Sequence, residues 1–197
     1  MTSLTTELEA VNFLLKTIGE SPVNDLDNPQ LSDAMSAKTT LRQVSKREQS
    51  RGYHFNTDEK YQLLPNVDGE FTVPTDALRI DPTHTSISID AVQRGTKMWD
   101  RKNHTFVFTQ SSMYCDIVRH YSWDELPEPV RQYFIYQSAV EFYHETFQTD
   151  PDEAIIKGLG DSQASFEDFI SATSDYNALY SNLTTFNTLK RKINGGW

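Results

Sequence analysis

Leu126–Phe147 reads LPEPVRQYFIYQSAVEFYHETF, and its spacing decides the fold. Pro127 and Pro129 suit the first turn of a helix, where a missing N–H costs little. Glu125 and Glu128 place negative charge near the positive end of the helix dipole. One apolar stripe runs Tyr133, Tyr136, Val140, Tyr143, Phe147 at helical spacing. A second runs Val130, Phe134, Ser138, with Ile135, Ala139 and Phe142 between the two. A helix apolar over so wide an arc packs on more than one side. The stretch is therefore predicted to be the central helix of a bundle.

Three further helices are expected around it. The first spans about Leu4 to Ile18, capped by Thr5 or Thr6, with Leu4, Leu8, Val11, Leu15 and Ile18 on one face. Gly19 ends it and Pro22 prevents its resumption. The second starts at Ser32 and runs to about Arg51, with Ala34, Ala37, Leu41 and Val44 inward and Gly52 as its stop. The last is capped by Thr149 or Asp150, with Pro151 at its first position and Asp152 and Glu153 in its first turn, and ends near Asp175. Gly158 and Gly160 weaken it or kink it.

Between the second and central helices the period changes from helical to two. Tyr53 and Phe55 suggest an extended entry into a sheet. Strands are predicted at Tyr61–Leu64, Glu70–Val73, Leu78–Asp81, Ser86–Asp90, Lys97–Asp100, Thr105–Thr109 and Cys115–Tyr121, separated by Gly, Pro and Asn turns, with a hairpin at Asp100–Asn103. The expected fold is α+β. A bundle of about four helices (1–57 with 124–175) holds an inserted antiparallel β-domain (58–123), and an extended tail (176–197) follows.

Composition narrows the function. Of 197 residues, 37% are hydrophobic, which is low for a compact monomer and suits a subunit completed by assembly. The net charge of -10 opposes gripping nucleic acid, because phosphate binding needs clustered Lys and Arg. No apolar run reaches the roughly 18 residues of a membrane span. The acidic first residues lack the basic region of a signal peptide. One cysteine, Cys115, forms no internal disulfide and reads as a small buried residue.

Catalytic constellations are missing from the pattern. There is no GxSxG elbow, HExxH, P-loop or GxGxxG. His54, His84, His104, His120 and His144 stand singly. Asp124, Glu125 and Glu128 are explained by helix capping, and Asp25 and Asp27 lack the rest of a calcium loop. No catalytic, cofactor-binding or metal-binding residue is assigned. Two features remain. Lys38, Arg42 and Lys46 repeat every four residues, the only ordered basic stripe in an acidic chain. It reads as a solvated helix face, as a contact with an acidic neighbour subunit or, third in order, as a contact with DNA backbone. The tail holds Tyr176, Tyr180, Phe186 and Trp197 with Lys190, Arg191 and Lys192, too apolar for a merely solvating segment, and is expected to dock.

Three stretches carry a family resemblance: Ala10–Leu26 (AVNFLLKTIGESPVNDL), Gln49–Pro65 (QSRGYHFNTDEKYQLLP) and Tyr121–Tyr143 (YSWDELPEPVRQYFIYQSAVEFY). In order and spacing they resemble the tail tubular protein A family, the head-to-tail adaptor of short-tailed phages. Tyr53 departs from the family pattern, where Trp is expected, and keeps a large aromatic. The resemblance implies a homo-oligomeric ring, a dodecamer, beneath the portal protein, with the nozzle of tail tubular protein B on its other side. Such a ring would extend the DNA channel without binding DNA specifically, support tail fibres, and reside in the virion tail after assembly in the host cytoplasm. A tail-associated cell-envelope polysaccharide hydrolase is the alternative, for which a carboxylate pair or nucleophile in a cleft would be needed.

Overall fold

The computed structural model describes residues 4–27, 32–83 and 89–181, the last seven by their backbone. Four helices are present: α1 (Glu7–Thr17), α2 (Ser32–Gln49), α3 (Glu128–Phe147) and α4 (Glu153–Ser181). Between α2 and α3 lie β1 (Thr57–Leu63), β2 (Ala77–Pro82), β3 (Ala91–Arg94), β4 (Lys97–Asp100) and β5 (Met113–Arg119). The α+β architecture expected from the sequence is the one observed.

Each boundary has a local cause. Thr6 caps α1, accepting from the Glu9 N–H while the Glu9 carboxylate accepts from the Thr6 N–H. At its other end Gly19 adopts φ +82° and Glu20 N–H reaches back to the Leu15 carbonyl, closing the chain over its last turn. Gly52 (φ +77°) ends the turn after α2, and an added Cβ there would stand 2.8 Å from Val118 Cγ2. α4 starts at Glu153, two residues after Pro151, and continues to Ser181, past the expected end at Asp175. The extension takes in Tyr176 and Tyr180, whose i, i+4 spacing continues the helical period.

The central helix is α3. It packs against α1, α2 and α4, whereas α4 packs chiefly on α3 and on the short 3-10 turn His54–Asn56. One core joins Val11, Leu14 and Leu15 of α1 to Ala37 and Leu41 of α2 and Ile135, Ala139 and Phe142 of α3. A second joins Val130, Tyr133 and Phe134 to Phe166 of α4. Phe134, fully buried, contributes about 2 kcal/mol by burial alone. The deeply buried face of α3 is thus its Val130–Phe134–Ser138 side, while Phe147 at the end of the other stripe is exposed.

The β region forms two sheets, not one. β1, β5 and β2 pair antiparallel in the order β1-β5-β2, and β3 pairs with β4. Along β5 the side chains of Met113, Cys115 and Ile117 are buried at every second position. They join Phe71 and Met98 in the β core. Three sequence expectations need correction. Tyr53 and Phe55 do not enter an extended strand: the Asn56 side chain accepts from the Tyr53 N–H at 2.9 Å and closes a 3-10 turn. They do face one way, stacked 5.7 Å apart against α4. Glu70–Val73 and Thr105–Thr109 make isolated bridges instead of strands. β3 begins at Ala91, beyond the expected Ser86–Asp90, of which 86–88 lie outside the described residues. The Asp100 turn is observed, its carboxylate accepting from the Lys102 and Asn103 N–H groups.

Candidate assembly interface

The bundle and the β region are joined by two chain crossings, and buried amides hold both. Gln49, at the end of α2, accepts from the Tyr121 N–H at 2.7 Å and donates to its carbonyl at 3.1 Å. Asn56 donates to the carbonyls of Gln49 (2.9 Å) and Arg119 (2.8 Å). Both side chains are fully buried. Arg119 in turn pairs with Asp58 and Asp76. A buried polar network satisfied to this degree fixes one arrangement of the two parts.

A third anchor ties down the start of the chain. Arg131 of α3 is 2% exposed and hydrogen-bonds to backbone carbonyls, making no ion pair within 4 Å among the described residues. Its guanidinium donates to the carbonyls of Leu126, Thr5 and Asp124 at 2.7–2.8 Å. Trp123 Nε1 also donates to Thr5 O, and the Glu128 carboxylate accepts from the Thr5 N–H. Burial pushes the Glu128 carboxyl up, but the hydrogen bonds from Thr5 and Gln132 outweigh it and the net shift is downward.

Beside these anchors opens a cleft of about 420 Å³. Arg42 and Lys46 of the basic stripe line it and Lys38 does not, so the stripe behaves as three different residues. Lys38, its side chain 14% exposed, faces away from solvent, donating to the Leu26 carbonyl at 3.2 Å with Asp27 at 3.8 Å. Arg42 pairs with Glu7 at 2.8 Å on the cleft rim. Lys46 is exposed and makes no ion pair among the described residues. It stands near His120, whose imidazole burial, and then Lys46, hold below its ordinary value. The apolar lining comes from Leu41, Tyr121 and Trp123.

Of the expected docking tail, Tyr176 and Tyr180 fall within α4, while Phe186, Lys190, Arg191, Lys192 and Trp197 lie outside the described residues. Among the described residues no His, Cys, Asp and Glu side chains group to hold a metal. Cys115 is fully buried, and burial first pushes its thiol up to about 12. No helix among the described residues is long and apolar enough to cross a membrane. Sequence pattern did not single out Gln49, Asn56 or Arg131, because one polar residue in an apolar face carries no period.

A family model described as tail tubular protein matches residues 8–161, which includes α1, α2, the whole β region and α3. The chain belongs to the tail tubular protein family of short-tailed phages. It is a structural protein of the phage tail and a component of the virion. A comparison with curated proteins returned no match. The matched span of this tail tubular protein contains both chain crossings, Arg131 but not the Thr5 it holds, and every residue of the cleft except Glu7.

Proposed function

We propose that this tail tubular protein is the head-to-tail adaptor, a ring of identical subunits between the portal and the nozzle of tail tubular protein B. The family match over residues 8–161 carries this reading. The ring extends the DNA channel, supports tail fibres and is assembled in the host cytoplasm, as a dodecamer by resemblance to the family. A net charge of -10 supports a conduit role, since a wall that repels phosphate lets DNA pass without holding it. Its role is structural, and no observation favours the hydrolase alternative. Lys38, Arg42 and Lys46 are proposed to lie at the subunit contact, with Lys46 the residue whose charge is open to a neighbour. The tail, with Lys190, Arg191 and Lys192, is proposed to reach the portal. Native mass spectrometry of the protein, alone and mixed with its portal, tests the reading. Rings in either sample support it, and a monomer that ignores the portal overturns it.

A further inference from the structure

The far tip of the β region presents an apolar knob. Val67 is fully exposed, Leu64 is 66% exposed, and Val107 beside them is 52% exposed. The turn that carries Val67 is rigidly built. The Asn66 side chain accepts from the N–H groups of Asp68 (3.0 Å) and Glu70 (2.9 Å), and Gly69 N–H donates to the Asn66 carbonyl. Gly69 sits at φ +78°, against the Val107 side chain and the Phe108 carbonyl, both 3.2 Å from where a Cβ would stand. A side chain at Gly69 would be strained both by its backbone and by its neighbours. A turn fixed in this way loses little entropy when it is bound. Next to Val67 the Asp68 carboxylate makes no ion pair among the described residues.

The cleft beside α2 is its complement. It has apolar walls in Leu41, Tyr121 and Trp123, and a lysine, Lys46, that makes no ion pair among the described residues, with Asp124 also in the lining. Glu7 at the rim is already paired with Arg42. The knob and the cleft cannot meet within one chain. Lys46 and His120 lie at the Thr57–Val118 end of the sheet and the knob follows Leu63 at the other end. β1 alone separates them by about 20 Å at some 3.3 Å per residue. Two different patches on one chain that fit each other make a head-to-tail contact, which closes into a ring when the rotation allows.

We propose that the Leu64–Asp68 turn of one copy seats in the α2 cleft of the next, with Val67 against Trp123 and Asp68 paired with Lys46. This rests on the ring reading and names its contact. The experiment uses the full chain. Wild type, Val67→Asp, Lys46→Glu, Asp68→Lys and the Lys46→Glu/Asp68→Lys double variant are followed by native mass spectrometry across concentration, alone and with the portal. Carbodiimide coupling of mixed isotope-labelled and unlabelled wild type then seeks a Lys46–Asp68 bond between copies. Val67→Asp and each single charge reversal are expected to raise the assembly midpoint on the order of tenfold, the double variant to recover most of it, and the cross-link to join two copies. Val67 and Asp68 are exposed, so these variants leave the fold intact, which circular dichroism checks. Rings with an unchanged midpoint in Val67→Asp and no Lys46–Asp68 bond overturn the contact and leave the ring standing. A wild type that never assembles, alone or on the portal, overturns both.

Discussion

The Tyr136 ring of α3 occupies the space that a side chain on Gly158 of α4 would fill. Tyr136 is itself held by an edge contact with Phe13 of α1, ring centres 5.1 Å apart. Gly158 therefore permits close approach of two helices, and α4 runs through it without interruption. Gly160 has nothing within 4 Å of a hypothetical Cβ. The two glycines should respond oppositely to alanine. Gly160→Ala is expected to stabilise by about 1 kcal/mol through helix propensity and reduced freedom of the unfolded chain. Gly158→Ala gains the same term but must displace the ring, which costs about 1–3 kcal/mol, so a net loss is expected. Urea midpoints of the two variants check this. A stabilised Gly158→Ala would remove the steric account.

The four helices were legible because their apolar periods are long and their stops are marked by Gly19, Gly52 and Pro151. The β region was read less well. β5 has a clear alternation, but Glu70–Val73 and Thr105–Thr109 alternate too and form only single bridges. Pairing partners are set by tertiary packing, which a local pattern does not contain. The basic stripe was visible as a stripe. Its division into a half-buried Lys38, a paired Arg42 and an unpaired Lys46 depends on Leu26 and Glu7, both distant in sequence. Val67 and Asp68 read only as part of a turn, since full exposure of an apolar residue has no sequence signature.

Asn56 should be among the most sensitive polar positions. Its side chain makes three hydrogen bonds at 2.8–2.9 Å, and its truncation takes this partner from the Tyr53 N–H and the Arg119 carbonyl, while the Gln49 carbonyl keeps the Gly52 N–H. Each bond is worth about 1 kcal/mol net, and buried groups left unpaired cost more. Asn56→Ala is expected to lose about 3 kcal/mol in urea denaturation. Hydrogen exchange at the Tyr121 and Asn56 amides should quicken before exchange in α3. A loss below about 1 kcal/mol would show that water replaces the side chain.

Arg131→Met keeps much of the side-chain volume and removes all of the guanidinium donors. Three carbonyls lose a partner, among them Thr5 O, which retains the Trp123 indole. The expected loss is about 2–4 kcal/mol. Limited proteolysis should show the first residues released while α2 and α3 stay protected. Unchanged protection near Thr5 would place the anchor in Trp123 and Glu128 alone.

Deletion of residues 182–197 leaves intact every described helix and both bundle cores as they stand among the described residues. Thermal unfolding of the truncated chain should match the full chain within a few degrees. Portal binding, followed by co-sedimentation, should be lost. A truncation that still binds the portal would end the proposal that the tail makes this contact.

Acidification should weaken the fold in two steps. The upper step belongs to His120. Burial, then Lys46, depress its pKa in the folded chain, so the unfolded chain binds the proton first as pH falls through about 6.5. Stability therefore declines from that value down to the lower folded one. The lower step is shared by several carboxyls held below the ordinary range, Glu9, Glu70, Asp100, Glu125 and Glu128 among them; Glu141 contributes through its hydrogen bond from Arg47. Its contribution is full above the unfolded pKa of about 4.3 and disappears as pH falls through the folded value. Both partners are partly exposed, Arg47 by 50% and Glu141 by 30%, so the pair is worth about 0.5 kcal/mol. Urea midpoints measured from pH 7.5 to 3.5 separate the two. His120→Gln should flatten the upper limb alone, and Glu141→Gln should lower the plateau slightly and remove only its own share of the acid limb. A His120→Gln profile that follows wild type between pH 7 and 5 would assign the upper step to other groups.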